Sequence, residues 1–319
     1  MKNYIRWLIL ITILLGIFFV RLFKRTYSFS KKIFKNKEVV EIEFTSLDNK
    51  NINIKKEANT WKVKTLAKSY PPNENLIKEL VEKINKFELL DVVTEDPKRY
   101  EEYLVNEASA TVVKIFFKKE KKPKIVYFGK TGGFSFNEIY VRIEKDPKVY
   151  LAKGISSFNF KNYFYEFCDK TVLKSNVDEI ETISIDFQNK ILSFKKELKD
   201  STTSWINLKT SKSVELQKID NFLRLFSIFT SDVILEETDL EDVKKLKIDF
   251  KIAIDFKDKS KIELTFYKEQ KIRDIPVYPV KITYTTKPSS VEVIGVEDIM
   301  YGVYRYKYDD FTNRITPLK

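Results

Sequence analysis

The sequence predicts an α+β protein: a tandem duplication of an antiparallel β-sheet unit with one main amphipathic helix packed on it, after an N-terminal transmembrane helix. Three observations predict this. A stretch carrying a strand, a turn, a tryptophan, a helix and an apolar run occurs twice, with Trp61 and Trp205 144 positions apart and Asp91 and Asp232 141 apart. Strand-like alternation fills the rest of each copy, and its turns are too short for crossover helices, so neighbouring strands run antiparallel. An uninterrupted apolar run, Trp7 to Val20, precedes both copies.

That run defines residues 1–24 as a membrane anchor. Trp7, Leu8, Ile9, Leu10, Ile11, Ile13, Leu14, Leu15, Ile17, Phe18, Phe19 and Val20 face every side of a helix, and Thr12 is the run's one polar side chain. Arg6 and Arg21 can snorkel while Leu22 and Phe23 extend the run towards the roughly 20 residues a bilayer needs. No small-residue cleavage site follows Phe18, which favours an uncleaved anchor over a signal peptide. Residues 25–38 form a basic juxtamembrane linker. The seven cations from Arg21 to Lys37 favour a cytoplasmic globular part under the positive-inside rule, but lysine is abundant throughout, so the sequence itself leaves orientation open.

The first α+β repeat spans 39–155. Val39–Phe44 and Asn51–Lys55 alternate on either side of the turn Asp48-Asn49-Lys50, giving a hairpin followed by a strand at Trp61. Pro71-Pro72 ends that strand and Asn73 can cap a helix whose stripe is Leu76, Leu80, Ile84 and Phe87. The apolar run Leu89–Val93 follows. Strands at Thr111–Phe117, Lys124–Phe128, Ile139–Ile143 and Val149–Ala152 complete a meander. Residues 156–179 read as a connecting helix or linker. In the second repeat, 180–319, Ile183–Phe187 opens the hairpin, Ser213 can cap, and Leu216, Ile219, Leu223 and Phe226 repeat the stripe. The corresponding meander is Phe250–Phe256, Ile262–Tyr267, Val280–Tyr284 and Val291–Ile294. Tyr163, Tyr165, Phe167 and Asp169 recur at Tyr304, Tyr306, Tyr308 and Asp310.

Taken in order, the Trp61 strand, the proline-rich helix entry, Leu89-Leu90-Asp91-Val92-Val93, a helical Tyr100–Leu104, the strand ending at Gly129, Ile139–Arg142 and Val149–Leu151 resemble the domain of unknown function 4340. The resemblance covers about residues 58–175 well and the second copy more loosely. The family's common Tyr-Gly-Leu is replaced here by Tyr103-Leu104 without glycine. The resemblance implies a bacterial protein with one N-terminal membrane helix, an auxiliary component of ABC-type exporters or gliding-motility-like systems. It further implies a globular part on the outer face of the cytoplasmic (inner) membrane, and it supplies no catalytic residues.

Composition narrows the chemistry. With no histidine among 319 residues, Ser-His and Cys-His mechanisms and His-containing zinc sites are excluded. One cysteine, Cys168, excludes an internal disulfide, and without a histidine to activate it the thiol reads as a small buried hydrophobe. Gly129-Lys130-Thr131 lacks the earlier glycine and the following helix of a phosphate loop, so it reads as a turn between strands. The acidic run Glu236–Asp242 lacks the ligand spacing of a calcium loop and reads as a solvated helix start. The lysines from Lys118 to Lys124 read as protection for a sheet edge, and the net charge of +12 is weak evidence for a nucleic-acid partner, so none is expected.

The expectation is a non-catalytic, membrane-anchored accessory protein with no cofactor or metal. Its partners are the membrane itself and an ABC permease or ATPase. The alternative is a membrane-tethered binding module for an envelope lipid or polymer. Phe158, Tyr163, Tyr165, Tyr304, Tyr306 and Tyr308 are the candidate interaction surface, although packing between the repeats would also account for them.

Overall fold

The computed structural model describes residues 11–16, 30–132, 137–199, 202–240, 245–272, 274–289 and 291–318. Most of the anchor expectation therefore lies outside the described residues. Within it, residues 11–16 are helical, with Ile11, Ile13, Leu14 and Leu15 exposed. Among the described residues, no helix is long and apolar enough to cross a membrane.

The chain forms mostly antiparallel sheet with a few helices, divided into two compact units. The first holds the residues up to Ser69 and Glu74–Phe164, and the second holds Tyr70–Asn73 and Tyr165–Lys319. The first unit contains β1 (Lys31–Lys32), β2 (Val39–Thr45), β3 (Asn51–Glu57), β4 (Thr60–Lys64), the Ser69 end of β5 (Ser69–Tyr70), helix α1 (Glu74–Lys86), β6 (Glu88–Thr94), β7 (Thr111–Phe117), β8 (Lys124–Thr131), β9 (Glu138–Ile143) and β10 (Val149–Lys153). The sheet order is β1-β6-β10-β9-β8-β7-β2-β3-β4, with β5 at its end.

Strand β7 shows why this sequence makes sheet. Thr111, Val113, Ile115 and Phe117 are buried while their neighbours are more open, the period-two pattern of a strand with one face in a core. Between β3 and β4, Ala58 and Asn59 both have positive φ, 45° and 70°, which is the two-residue hairpin loop whose twist suits the strands it joins. Helix α1 buries Leu80 and Ile84 of the predicted stripe, with Ile77 buried in place of the expected Leu76, which is half-buried, and Phe87 is buried just after the helix ends. The basic stretch expected as a linker is part of this unit from Lys31 onward. Lys31 pairs with Leu89, and buried Phe34 lies 5.6 Å from Phe87 and 5.2 Å from Phe117 between ring centroids.

The second unit contains β11 (Thr171–Ser175), β12 (Ile180–Phe187), β13 (Lys190–Lys199), β14 (Thr202–Asn207), α2 (Leu216–Leu223), β15 (Phe229–Thr230), β16 (Val233–Leu235), β17 (Ile248–Phe256), β18 (Lys261–Tyr267), β19 (Gln270–Ile272), β20 (Ile275–Tyr284), β21 (Val291–Ile294), β22 (Met300–Tyr304) and α3 (Arg305–Ile315). Its larger sheet runs β14-β13-β12-β17-β18-β20-β22-β16, with β19 beside β20, and a smaller one runs β15-β11-β21. The hairpin β12–β13 closes on Gln188 and Asn189, both at positive φ. Its core is aromatic: Phe250 stacks on Phe266 at 4.3 Å, and Phe311 of α3 sits 4.8 Å from Phe266 and 4.9 Å from Phe229.

The two large sheets share a strand order, and their registers agree. Trp61 lies opposite Lys56 and Trp205 opposite Lys196. Tyr150 lies opposite both Val141 and Val92, as Tyr301 lies opposite Val280 and Ile234. This correspondence corrects the expected meander. Val291–Ile294 does not pair with β20. It joins β11 in the small sheet, and Met300–Tyr304 takes the place that β10 holds in the first unit. The expected match of Tyr163–Asp169 with Tyr304–Asp310 falls with it, because Tyr304 ends a strand equivalent to β10.

Two helical expectations also give way. Residues 156–179 form 3-10 turns at Ser157–Asn159, Phe164–Phe167 and Val177–Glu179 around strand β11, and no α-helix. Apolar side chains there fall too irregularly to present one helical face. Tyr100–Leu104 follows a single 3-10 turn at Pro97–Arg99, capped by Asp96. Ser213 does not cap α2. Its backbone bridges to Ile206 in an extended conformation, and the helix begins after Glu215 with no side-chain cap.

Leu104 ends that turn region at φ 55°, where a side chain costs about 1–2 kcal/mol and glycine costs nothing sterically. Leu104 is 41% exposed, so little packing is lost without its side chain. Leu104→Gly should therefore raise stability by about 0.5–1 kcal/mol after the greater freedom of glycine in the unfolded chain is subtracted. A shift of the denaturation midpoint to higher urea would show it, and a shift to lower urea would contradict the strained backbone.

Candidate functional site

Aromatic and charged side chains converge in the second unit, where β22 leads into α3. Asp232, just ahead of β16, organises it. Its Oδ2 accepts from the Tyr304 backbone N–H at 2.8 Å, and its Oδ1 accepts from the Tyr306 hydroxyl at 2.5 Å and faces the Lys307 ammonium at 2.9 Å. The carboxylate therefore sits at the N-terminal end of α3, beside the residue that precedes it, where the helix dipole favours a negative charge. Lys307 also donates to the Thr230 carbonyl at 2.8 Å. Bonding to Asp232, followed by partial burial, pushes the Tyr306 hydroxyl up to about 12, so it remains a proton donor near neutrality.

A second cluster adjoins it. The Tyr278 and Tyr308 rings stack at 3.8 Å. Tyr278 donates to Glu269 at 2.8 Å, Arg305 pairs with the same carboxylate at 2.7 Å, and Tyr308 donates to Asp249. Burial is the main cause that raises both tyrosines, Tyr278 to about 12. On the other side of Lys307, a concavity of about 700 Å3 opens between α2 and α3, lined by Arg224, Ile228, Thr230, Lys307, Asp310 and Arg314 among others. Arg314 holds Asp310 through two nitrogens, at 2.8 and 3.0 Å.

The predicted surface residues divide between the units. Phe158 and Tyr163 belong to the first, where Phe158 is exposed on a 3-10 turn and Tyr163 is half-buried. Tyr165, Tyr304, Tyr306 and Tyr308 belong to the second. Tyr165 and Tyr304 pack on Val233, Leu235, Leu240 and Val277, Tyr308 is committed to its stack, and Tyr306 keeps 62% of its surface open. The sequence marked Asp232 only as the repeat counterpart of Asp91, and Lys307 not at all. The signal for a functional role was a lone acid directly before an apolar strand, a pattern too common to assign one.

The remaining chemical candidates resolve structurally. Gly129-Lys130-Thr131 is the end of β8 and not the expected turn, and among the described residues the next element is β9. Glu236, first of the acidic run, is buried and accepts from the Tyr70 hydroxyl at 2.8 Å, and a 3-10 turn at Glu237–Asp239 follows. Lys118 pairs with Glu38 at 3.1 Å and Lys124 with Glu120 at 3.5 Å. Among the described residues, no three acids or cysteines are grouped to hold a metal ion. Cys168 is 1% exposed, and burial, then the charge of Glu236, push its thiol far up. Its reaction with a disulfide reagent at pH 8 should be roughly 100-fold or more slower in the native protein than in denaturant. Equal rates would mean that the thiol is open.

No curated protein and no solved structure matches the chain. Residues 65–249 match the family described as a domain of unknown function, DUF4340. The match begins just before α1 and ends within β17, so it draws on both units. Because it covers more than half of the chain, the protein belongs to the DUF4340 family.

Proposed function

We propose that this protein is a membrane-anchored, non-catalytic accessory subunit of an ABC-type transport or gliding-motility-like envelope system. It would be a single-pass protein of a bacterial cytoplasmic membrane with its globular part outside. The observation that carries the reading is the apolar run Trp7–Val20, set directly in front of two folded units in a chain without histidine. The shared strand order of the two large sheets supports their origin as one duplicated unit, each sheet carrying its amphipathic helix. The buried stripe of Ile77, Leu80 and Ile84 supports the helix placement in the first. Partner contact falls to the exposed aromatics Phe158 and Tyr306, the latter presented by Asp232 and Lys307.

A second reading, a tethered module for an envelope lipid or polymer, is favoured by the open concavity beside Lys307. Purification of the tagged protein in mild detergent, from crosslinked and untreated membranes, separates the two. An ATPase and a multi-span permease recovered in fixed ratio, and lost in a Phe158→Ala, Tyr306→Ala double variant, would support the accessory subunit. Recovery of the chain alone from both preparations would sink it in favour of the tether. A reporter fused after Lys319 tests the orientation, and a cytoplasmic signal would reject the envelope placement.

A further inference from the structure

The first unit has a basic rim at the point where the described chain rises from the N-terminal segment. A concavity of about 630 Å3 is lined by Lys32 of β1, Lys83 and Lys86 of α1 and Lys153 of β10, with Glu88 as the acid among its lining residues. Glu88 is already engaged, accepting from the Ser30 hydroxyl and facing the Lys153 ammonium at 3.4 Å. Lys83 and Lys86 pair with Glu79 at 2.6 Å and Glu82 at 3.8 Å, exposed contacts one helical turn apart that exchange readily for another anion. The rim thus offers four ammonium groups around an open hollow.

Ser30 lies ten residues after Val20, and ten residues span at most about 35 Å when fully extended. A rim that starts at Lys32 therefore lies within tether reach of any bilayer that holds the apolar run, and Arg21, Lys24 and Arg25 between them are also cationic. Ammonium groups are compact charges that attract an anionic lipid surface without needing a paired geometry. We infer that the Lys32, Lys83, Lys86 and Lys153 rim binds the phosphodiester headgroups of anionic phospholipid and seats the first unit on the membrane. This rests on the anchor proposed above.

The test is lysine acetylation footprinting of the full chain in lipid nanodiscs. Discs of phosphatidylglycerol mixed with phosphatidylcholine should protect the four rim lysines at least about fivefold relative to pure phosphatidylcholine discs. Lys209 and Lys259 should label equally in both. A Lys83→Gln, Lys86→Gln double variant, changed only at the rim, should lose the protection at Lys32 and Lys153. Equal labelling in the two discs would overturn the proposal, as would undiminished protection in the variant. Inorganic phosphate added to phosphatidylcholine discs should leave labelling unchanged, and protection by phosphate alone would identify a soluble-anion site instead. A chain that does not enter discs at all removes the anchor and the seat together, whereas entry without protection removes only the seat.

Discussion

Gly129→Ala should destabilise the protein by about 3 kcal/mol, at the upper part of the range for forcing atoms into a packed site. Strand β8 passes the Tyr103 loop so closely that the Lys130 N–H donates to the Tyr103 carbonyl at 3.1 Å. A Cβ on Gly129 would stand 2.1 Å from that same carbonyl oxygen and 2.8 Å from a methyl of buried Val105. The loop has little freedom to withdraw. Arg142 donates to the Val105 carbonyl at 3.1 Å, and the Tyr100 hydroxyl donates to the Pro147 carbonyl at 2.9 Å. Urea denaturation of the full chain in mild detergent, followed by circular dichroism, measures the loss. A cost below 1 kcal/mol would mean that the strand and the loop are not in contact.

Phe266→Ala should cost still more, about 4 kcal/mol. The ring is fully buried among Phe250, Phe229 and Phe311, contributed by a neighbouring strand, a short strand of the small sheet and α3. No single element can move in to fill the space, so the variant keeps most of its cavity. Phe158→Ala, the same chemical change at a residue 69% exposed, should stay within about 0.5 kcal/mol of the parent. Equal costs at the two positions would contradict the aromatic core.

Much of the architecture was legible because it rests on period. The equivalence of Trp61 and Trp205 was visible from spacing alone, and the cross-strand lysines Lys56 and Lys196 bear it out. The strands β7 and β17 alternate over their whole length and could be read directly. Val291-Glu292-Val293 also alternates, yet such a pattern says only which side chains share a face and nothing about which strand lies alongside. The neighbour was decided by the insertion before Met300, which lets a later strand take the place beside β20. The aromatics of 304–308 were legible as a group, but not their commitments. Whether a tyrosine is open or held depends on acids such as Asp232 and Asp249, which are remote in sequence and unremarkable there.

The four residues Tyr70–Asn73 have a consequence for how this protein can be taken apart. They precede α1 in the chain but count with the second unit, where Tyr70 supplies the hydroxyl to Glu236, Pro72 bridges to Cys168 and the Asn73 N–H donates to the Phe167 carbonyl at 2.8 Å. The borders of the compact units therefore differ from those of the sequence repeat. A gene cut at the repeat boundary would yield a C-terminal half with a gap in its own wall, the Glu236 carboxylate and the Phe167 carbonyl each stripped of a donor and Cys168 uncovered. During synthesis the second half must recruit a segment made about a hundred residues earlier, which ties its completion to a chain that is still intact.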